Sequence, residues 1–218
     1  MARANRAPRA PYRTENRQGS SICSLQFVAA LLMVVGFFGP WIAHKTAALT
    51  VTGYELSEFA KFFPQVQGGA VPVRRGLFVM PLLAGTVSLA LVVNCSRATP
   101  VWRLAATGLL TVVATSVVPP FQAISAPPYR LQLAIVAAGV ILTVASLLTP
   151  RLSERTRGAL LATLALAGSA PALWQSVLLH PLASNLYGVT TRPGWGVLTC
   201  VAGAAMLLFV GARRAVQH

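Results

Sequence analysis

Two of the few acidic side chains lie close together, in a stretch that could do chemistry. The 218 residues include only four Asp and Glu side chains, and Glu55 and Glu58 both belong to the segment TGYELSEF. A carboxylate held away from water can bind a cation or a polar ligand. The basic pair Arg74 and Arg75 follows shortly after. We therefore take Glu58, with Glu55, Arg74 and Arg75, as candidate contacts for a substrate or a partner.

Two histidines stand where apolar runs end. His44 follows the first run and His180 the fifth, so both are predicted at the same membrane boundary. If those helices are neighbours, the imidazoles could share a metal ion, a haem iron or a proton path; otherwise they are ordinary interfacial residues. The three cysteines lack the paired spacing of a metal site. We predict no cofactor and no metal, with His44 and His180 as the residues to check.

A stripe of threonines runs along one predicted helix. Thr107, Thr111 and Thr115 recur every four residues and so share one helix face. Such a stripe could line a polar path for a solute. Threonines in apolar helices more often bond the carbonyl one turn back and pack against a neighbour. The spacing favours packing, and a solute path is the alternative.

Composition places these residues in a membrane protein. The chain is 55% hydrophobic and 10% charged, with a mean hydropathy of +0.65, whereas soluble domains carry about 25% charged residues. The net charge of +14 could suggest nucleic acid, but the basic residues form short clusters between apolar runs, as membrane topology requires. We predict membrane lipid and other membrane subunits as partners, and no nucleic acid.

Six apolar runs are long enough to cross about 30 Å of hydrocarbon as helices. They cover residues 25–43, 76–95, 104–124, 131–148, 158–179 and 195–212. Prolines at 119 and 120 interrupt the third near its end. Residues 1–21 are basic and poor in large aliphatic side chains, which predicts a disordered tail. The predicted fold class is all-α: a six-helix polytopic bundle over residues 22–218.

The basic residues also orient this bundle. With the N-terminus in the cytoplasm, twelve of the eighteen Lys and Arg side chains fall in inner segments. The outer six are Lys45, Lys61, Arg74, Arg75, Arg130 and Arg192. Because cytoplasmic loops carry the excess of basic residues, we predict that both termini are cytoplasmic.

The segment that holds Glu55 and Glu58 is predicted to form a short outer amphipathic helix, about residues 53–63. Thr52 and Glu55 have the spacing of a capping box, and Leu56, Phe59, Ala60 and Phe63 would share one face. Glu58 and Lys61 fall one turn apart on the other face, where they can pair. Glu55 is then a capping residue, while Glu58 either pairs with Lys61 or faces inward toward a ligand or the Arg74–Arg75 pair.

Short motifs suggest a family. The segments GPW and TGYELSEF after the first run, and YGVTTRPGWG before the last, resemble uncharacterised bacterial polytopic membrane proteins with a Pro-Trp-led first outer loop. The resemblance implies the bacterial cytoplasmic (inner) membrane and says nothing about activity.

The sequence constrains the function of the protein less than its location in the membrane. The predicted spans carry no ionisable residue at mid-depth, where ion-coupled transporters usually have one, and catalytic motifs such as a P-loop or GxSxG are missing. We therefore expect a non-catalytic accessory or structural subunit of a larger membrane complex. A transporter or channel subunit for a neutral or lipidic solute is the alternative, and a membrane enzyme or a haem or quinone site at the outer face is a third.

Overall fold

Long apolar helices make up most of the protein. The computed structural model describes residues 15–44, 50–95, 99–124 and 126–217, so the predictions for residues 1–14 and for Lys45 lie outside the described residues. The fold is all-α and 81% helical. The described helices are α1 Glu15–Phe38, α2 Gly53–Phe59, α3 Pro64–Gln67, α4 Met80–Cys95, α5 Pro100–Thr115, α6 Arg130–Ala145, α7 Glu154–Tyr187 and α8 Trp195–Gln217.

Four stretches are both long and apolar enough to cross a membrane. They are Arg75–Asn94, Pro127–Leu148, Glu154–Tyr187 and Trp195–Val216. The remaining two predicted spans are shorter apolar helices in the described part of the chain, Ile22–Phe38 and Pro100–Thr115. The predicted count of six spans is therefore not confirmed, although membrane-spanning helices are present by length and composition.

The predicted span boundaries need correction where glycine and proline intervene. The first run was predicted to stay helical to residue 43, but α1 ends at Phe38 and Pro40–Ala43 is a strand. The third was predicted to reach residue 124, but α5 ends at Thr115, because the Pro119–Pro120 pair cannot continue a helix. The fifth is longer than predicted. Ser153 caps the start of α7 and Gly188, with φ 66°, ends it.

Helix α4 is the centre of the bundle. Its residues 81–91 are buried throughout, and α1, α5, α6 and α7 pack around it, with α8 packed on α1 and α7. Close approaches give the helix directions: Gly36 of α1 lies beside Cys200, and Gly203 beside Ala29, so α1 and α8 are antiparallel. Small residues at such crossings let membrane helices approach closely.

An ion-pair cluster joins α7 to α8 at the end of the bundle where α7 begins. Glu154 pairs with Arg157 on its own helix and, at 3.5 Å, with the buried guanidinium of Arg214 on α8. Arg214 in turn lies 3.7 Å from the Cys23 sulfur of α1. We call this end of the bundle the far end.

A small antiparallel sheet covers the opposite end, which we call the sheet end. Its strands are β1 Pro40–Ala43, β2 Val51–Thr52 and β3 Arg192–Pro193, in the order β2-β1-β3. The all-helical prediction missed this sheet. It joins the residues that follow α1 to those that precede α8, so the two segments on which the family resemblance rests lie side by side.

Helix α2 packs over the sheet end, as its amphipathic pattern predicts. The capping box is confirmed: Glu55 N–H donates to Thr52 Oγ1 at 3.3 Å, and Thr52 N–H donates to Glu55 Oε2 at 2.9 Å. Leu56, Ala60 and Phe63 are buried, and α2 rests on α1 and on the turn Arg75–Val79. The predicted helix over residues 53–63 is α2 followed by a tighter 3-10 turn, Ala60–Phe62.

Candidate functional site at the sheet end

Glu58 is the centre of a polar cluster that links α2 to the start of α6. Lys61, one turn along, forms an ion pair with Glu58 Oε2, as the spacing predicts. The Tyr129 hydroxyl, in the turn Pro127–Tyr129 just before α6, donates to Glu58 Oε1 at 3.1 Å. The carboxylate therefore has one partner from the 3-10 turn that follows its helix and one from a residue 71 positions away.

The two arginines have different places. The Arg75 guanidinium lies 5.3 Å from the centre of the Tyr129 ring, a cation–π distance, so Arg75 joins the cluster through Tyr129. Arg74 instead gives its backbone N–H to Gln175 Oε1 of α7 at 2.7 Å, and its side chain is exposed. Glu55 is used in the capping box. Of the four predicted contacts, the structure brings together Glu58 and Arg75.

A cavity of about 140 Å³ lies beside Glu58. Parts of α2, the segment before α4, the segment after α5 and the start of α6 line it, through Tyr54, Ser57, Glu58, Val79, Val117, Val118, Pro119, Pro120 and Gln132. Gln132 is buried and donates from Nε2 to the Val117 carbonyl at 2.8 Å. The lining is mostly apolar, with polar groups from Ser57, Glu58 and Gln132, and a space of this size has room for water molecules or one small polar group.

The electrostatics of the cluster favour a charged pair. Burial raises the pKa of Glu58, but hydrogen bonds from Lys61 and Tyr129 and the charges of Lys61 and Arg75 outweigh it, so this pKa lies below 4.5. The hydrogen bond to Glu58 raises the pKa of Lys61, against the smaller effect of burial. Both groups are ionised at neutral pH, so Glu58 is suited to binding by charge and not to donating a proton.

This arrangement predicts how stability depends on pH. Because the pKa of folded Glu58 lies below its ordinary value of 4.5, its contribution is complete above pH 4.5 and is lost as the pH falls through the lowered value. The melting temperature of wild type should therefore exceed that of Glu58→Gln at neutral pH, and the gap should close in acid. In a Lys61→Met background the gap at neutral pH should be smaller. An equal gap across the whole range would contradict the assignment.

The two histidines have separate contacts at the sheet end. The His44 ring lies 5.5 Å from the ring of Tyr187, whereas His180 Nδ1 lies 2.7 Å from Thr191 Oγ1. Tyr187 and His180 are seven residues apart on α7, about 10 Å along a helix. Within the described ranges, no group of three or more His, Cys, Asp and Glu side chains is placed to hold a metal ion. A site shared by His44 and His180 stays untested.

The three threonines of the stripe differ in burial and in their hydrogen bonds. The hydroxyls of Thr111 and Thr115 donate to carbonyls of their own helix, those of Thr107 and Val112, both at 2.9 Å. Thr107 is buried and accepts a bond from Asn94 Nδ2 at 3.2 Å. These bonds match the packing interpretation of the stripe.

Sequence reasoning missed several buried polar side chains. Asn94 is 1% exposed and links α4 to α5, through Thr107, and to Ser146, which follows α6. At the sheet end, Gln132 bonds the Val117 carbonyl and Gln175 accepts from the Arg74 N–H. Tyr129 bonds Glu58. The one local signal was polarity within an apolar run, since a buried amide in a membrane bundle needs a partner. The identity of that partner depends on helix packing.

Comparison of the chain with known protein families, curated proteins and solved structures finds no match. The proposed function therefore rests on the residues and their arrangement alone, and the resemblance to bacterial polytopic membrane proteins stays a prediction.

Proposed function

We propose that the protein is a non-catalytic accessory subunit of a larger membrane complex and that its partner binds at the sheet end. The observation that carries this proposal is the partly exposed polar and aromatic surface around Glu58, on a layer that covers the end of the bundle. We call it the sheet-end patch and define it as Glu58, Lys61, Phe62, Arg75 and Tyr129.

The patch has the composition of a protein contact surface. Phe62 is 65% exposed, and Lys61 Nζ lies 5.9 Å from the centre of its ring, so the aromatic side chain continues the charged cluster. Tyr, Phe and Arg are enriched in protein interfaces, and Lys and Glu are depleted at their centres. Phe62, Tyr129 and Arg75 would supply binding energy, and the Glu58–Lys61 pair would orient the partner.

The layer of residues that covers the sheet end favours a structural role for the protein and argues against a pore along the axis of the bundle. Trp41, Leu56 and Phe63 are buried in one continuous cluster with Phe78 and Val79, which connects the sheet, α2 and the segment leading into α4. Beneath it, residues 81–91 of α4 are buried on all sides. Side chains thus fill the axis of the bundle at the sheet end.

We further propose that α1, α4, α5, α6, α7 and α8 all cross the membrane. The two with the shorter apolar stretches, α1 and α5, pack against α4: Gly85 of α4 lies beside Val34 and Ala30 of α1, and Asn94 of α4 bonds Thr107 of α5. A short apolar helix can span where the bilayer thins or its ends are anchored. The excess of basic residues at the far end supports an orientation with the sheet end outside and both termini cytoplasmic. The bacterial inner membrane is proposed from the resemblance of the short motifs alone.

A lipidic solute carrier is the second candidate, because an apolar groove opens sideways between α6 and α7. The groove has a volume of about 210 Å³ and is lined by residues of α4, α6 and α7. Its apolar lining suits a hydrocarbon chain. Flux of a lipid by the purified protein alone, without a partner, would favour this candidate over the accessory subunit.

A partner-binding test distinguishes the two. We expect native mass spectrometry of the full chain, purified from its own membrane in mild detergent, to show a stoichiometric complex. Phe62→Ser should weaken that complex about tenfold, equivalent to about 1.4 kcal/mol. Val216→Ser, which changes a residue 86% exposed at the far end, is the matched control. A monomer or homo-oligomer with no partner, or equal loss in both variants, would overturn the proposal.

A further inference from the structure

The groove between α6 and α7 is a window with closed ends. Both helices pack on α4, and among the described residues they are not packed closely on each other. At the sheet end the turn Arg75–Val79 packs on both α6 and α7, and at the far end the turn Ser146–Arg151 runs from α6 across α4. The opening is therefore bounded along the helix axes as well as from side to side.

Small residues create this space. Ala138 and Gly139 on α6 face Ala167 and Gly168 on α7, and Ala84 of α4 is part of the floor. A Cβ at Gly139 would come within 2.9 Å of a Leu83 methyl group, so the glycine lets α6 lie close to α4. The walls are short while the floor and rims carry larger apolar side chains, and the result is a pocket of about 210 Å³.

The dimensions select a narrow occupant. A transmembrane helix with its side chains is about 10 Å wide and needs about 30 Å of uninterrupted length. The two turns that bound the groove make it too short for such a helix. A dry apolar cavity of about 150 Å³ binds benzene, so this one accommodates a longer piece of hydrocarbon. A lipid acyl chain has the required width and chemistry.

Two basic side chains near the sheet-end rim of the groove indicate the head group of that lipid. Arg74 is tied through its backbone to Gln175 of α7, and Arg130 is the first residue of α6. Both side chains are exposed, and neither takes part in an ion pair of the described residues. Arg74 is thus held near α7 and Arg130 starts α6, both on the sheet-end side of the groove lining. Arginine binds phosphate in a bidentate manner, so this pair matches a phosphate head group.

We propose that this window binds one phospholipid, with an acyl chain between α6 and α7 and its phosphate at Arg74 and Arg130. The proposal goes beyond the accessory-subunit function and does not depend on a protein partner. It gives a role to Arg74, which is not part of the Glu58 cluster. It also explains why small residues are found on both walls of the groove.

Photocrosslinking in a bilayer tests the acyl-chain part. The full chain is reconstituted into phosphatidylglycerol nanodiscs that contain a trace of phospholipid with a diazirine in one acyl chain, and mass spectrometry maps the adducts. We expect labelling to concentrate on the floor residues Leu83, Ala84 and Val87. Ala138→Leu and Ala167→Leu should abolish this preference by filling the walls. Ala137→Leu and Ala170→Leu, at exposed positions outside the groove, should retain it.

The phosphate part has its own control. A diacylglycerol with the same diazirine chain lacks the phosphate and should label the floor less than the phospholipid does. Arg74→Gln with Arg130→Gln should remove that difference, and an excess of inorganic phosphate should not displace the lipid. Adducts spread evenly over all lipid-facing helices, or equal labelling by the two probes, would overturn the proposal. Circular dichroism of each variant verifies that the helices are intact.

Discussion

Replacement of Trp41 by alanine is expected to destabilise the fold by about 4 kcal/mol, within the range for a buried Trp→Ala change. Trp41 is 1% exposed, and its indole N–H donates to the Gly36 carbonyl of α1 at 3.0 Å. A Cβ at Gly53 would lie 2.7 Å from the same indole nitrogen, so the ring fills the space between α1 and α2. Its loss leaves a cavity where the sheet, α1 and α2 meet.

Thermal unfolding in detergent, followed by circular dichroism, measures this effect. For a chain of this size, 4 kcal/mol corresponds to a fall in Tm of about 10 °C. Trp41→Phe keeps most of the ring and should fall between wild type and Trp41→Ala. Trp174→Ala is the control, because Trp174 is 62% exposed on α7 and should change Tm little. If both alanine variants melted alike, Trp41 would not have the packing role described.

Gly194→Ala is expected to cost about 3 kcal/mol, because it would overpack the crossing between β1 and the segment that leads into α8. A Cβ at Gly194 would lie 2.6 Å from the Pro40 carbonyl carbon. The backbone has little freedom to move away, since Gly194 N–H donates to the Trp41 carbonyl at 2.9 Å. The added methyl must therefore separate the strands or break that bond.

The matched control for this substitution is Gly108→Ala. A Cβ at Gly108, on α5, has no atom within 4 Å, and alanine is the better helix former by about 1 kcal/mol. We expect this variant to melt at or above the wild-type temperature, while Gly194→Ala melts well below it. Amide hydrogen exchange should show the loss of protection at β1 and β3. Unchanged protection in those strands would contradict the steric argument.

Local patterns in the sequence predicted the features that depend on neighbours in the chain. The capping box of α2 needs only Thr52 and Glu55, three residues apart, so its geometry is readable from spacing. The same holds for the Glu58–Lys61 pair and for the buried face of Leu56, Ala60 and Phe63. The six apolar runs each correspond to a helix for the same reason, because length and hydropathy are local properties.

Features that depend on distant residues were not predictable in this way. The strands are two to four residues long, too short for an alternating pattern, and β1 pairs with a segment near the other end of the sequence. The bond from Tyr129 to Glu58 likewise depends on how α6 approaches α2. Two prolines precede Tyr129, as is typical of a turn, but nothing in the sequence specifies that this turn meets the carboxylate.

The strand order has a consequence for biogenesis. Strand β1 leaves the ribosome about 150 residues before β3, which at a synthesis rate of about 5–20 residues per second is about 8–30 seconds. Throughout that interval β1 has β2 on one edge and an open edge on the other, so its unpaired backbone groups are exposed to other chains. Synthesis of β3, just before α8, supplies the strand that closes this edge. The edge of β1 is thus protected only after the residues of α1 to α7 have been synthesised.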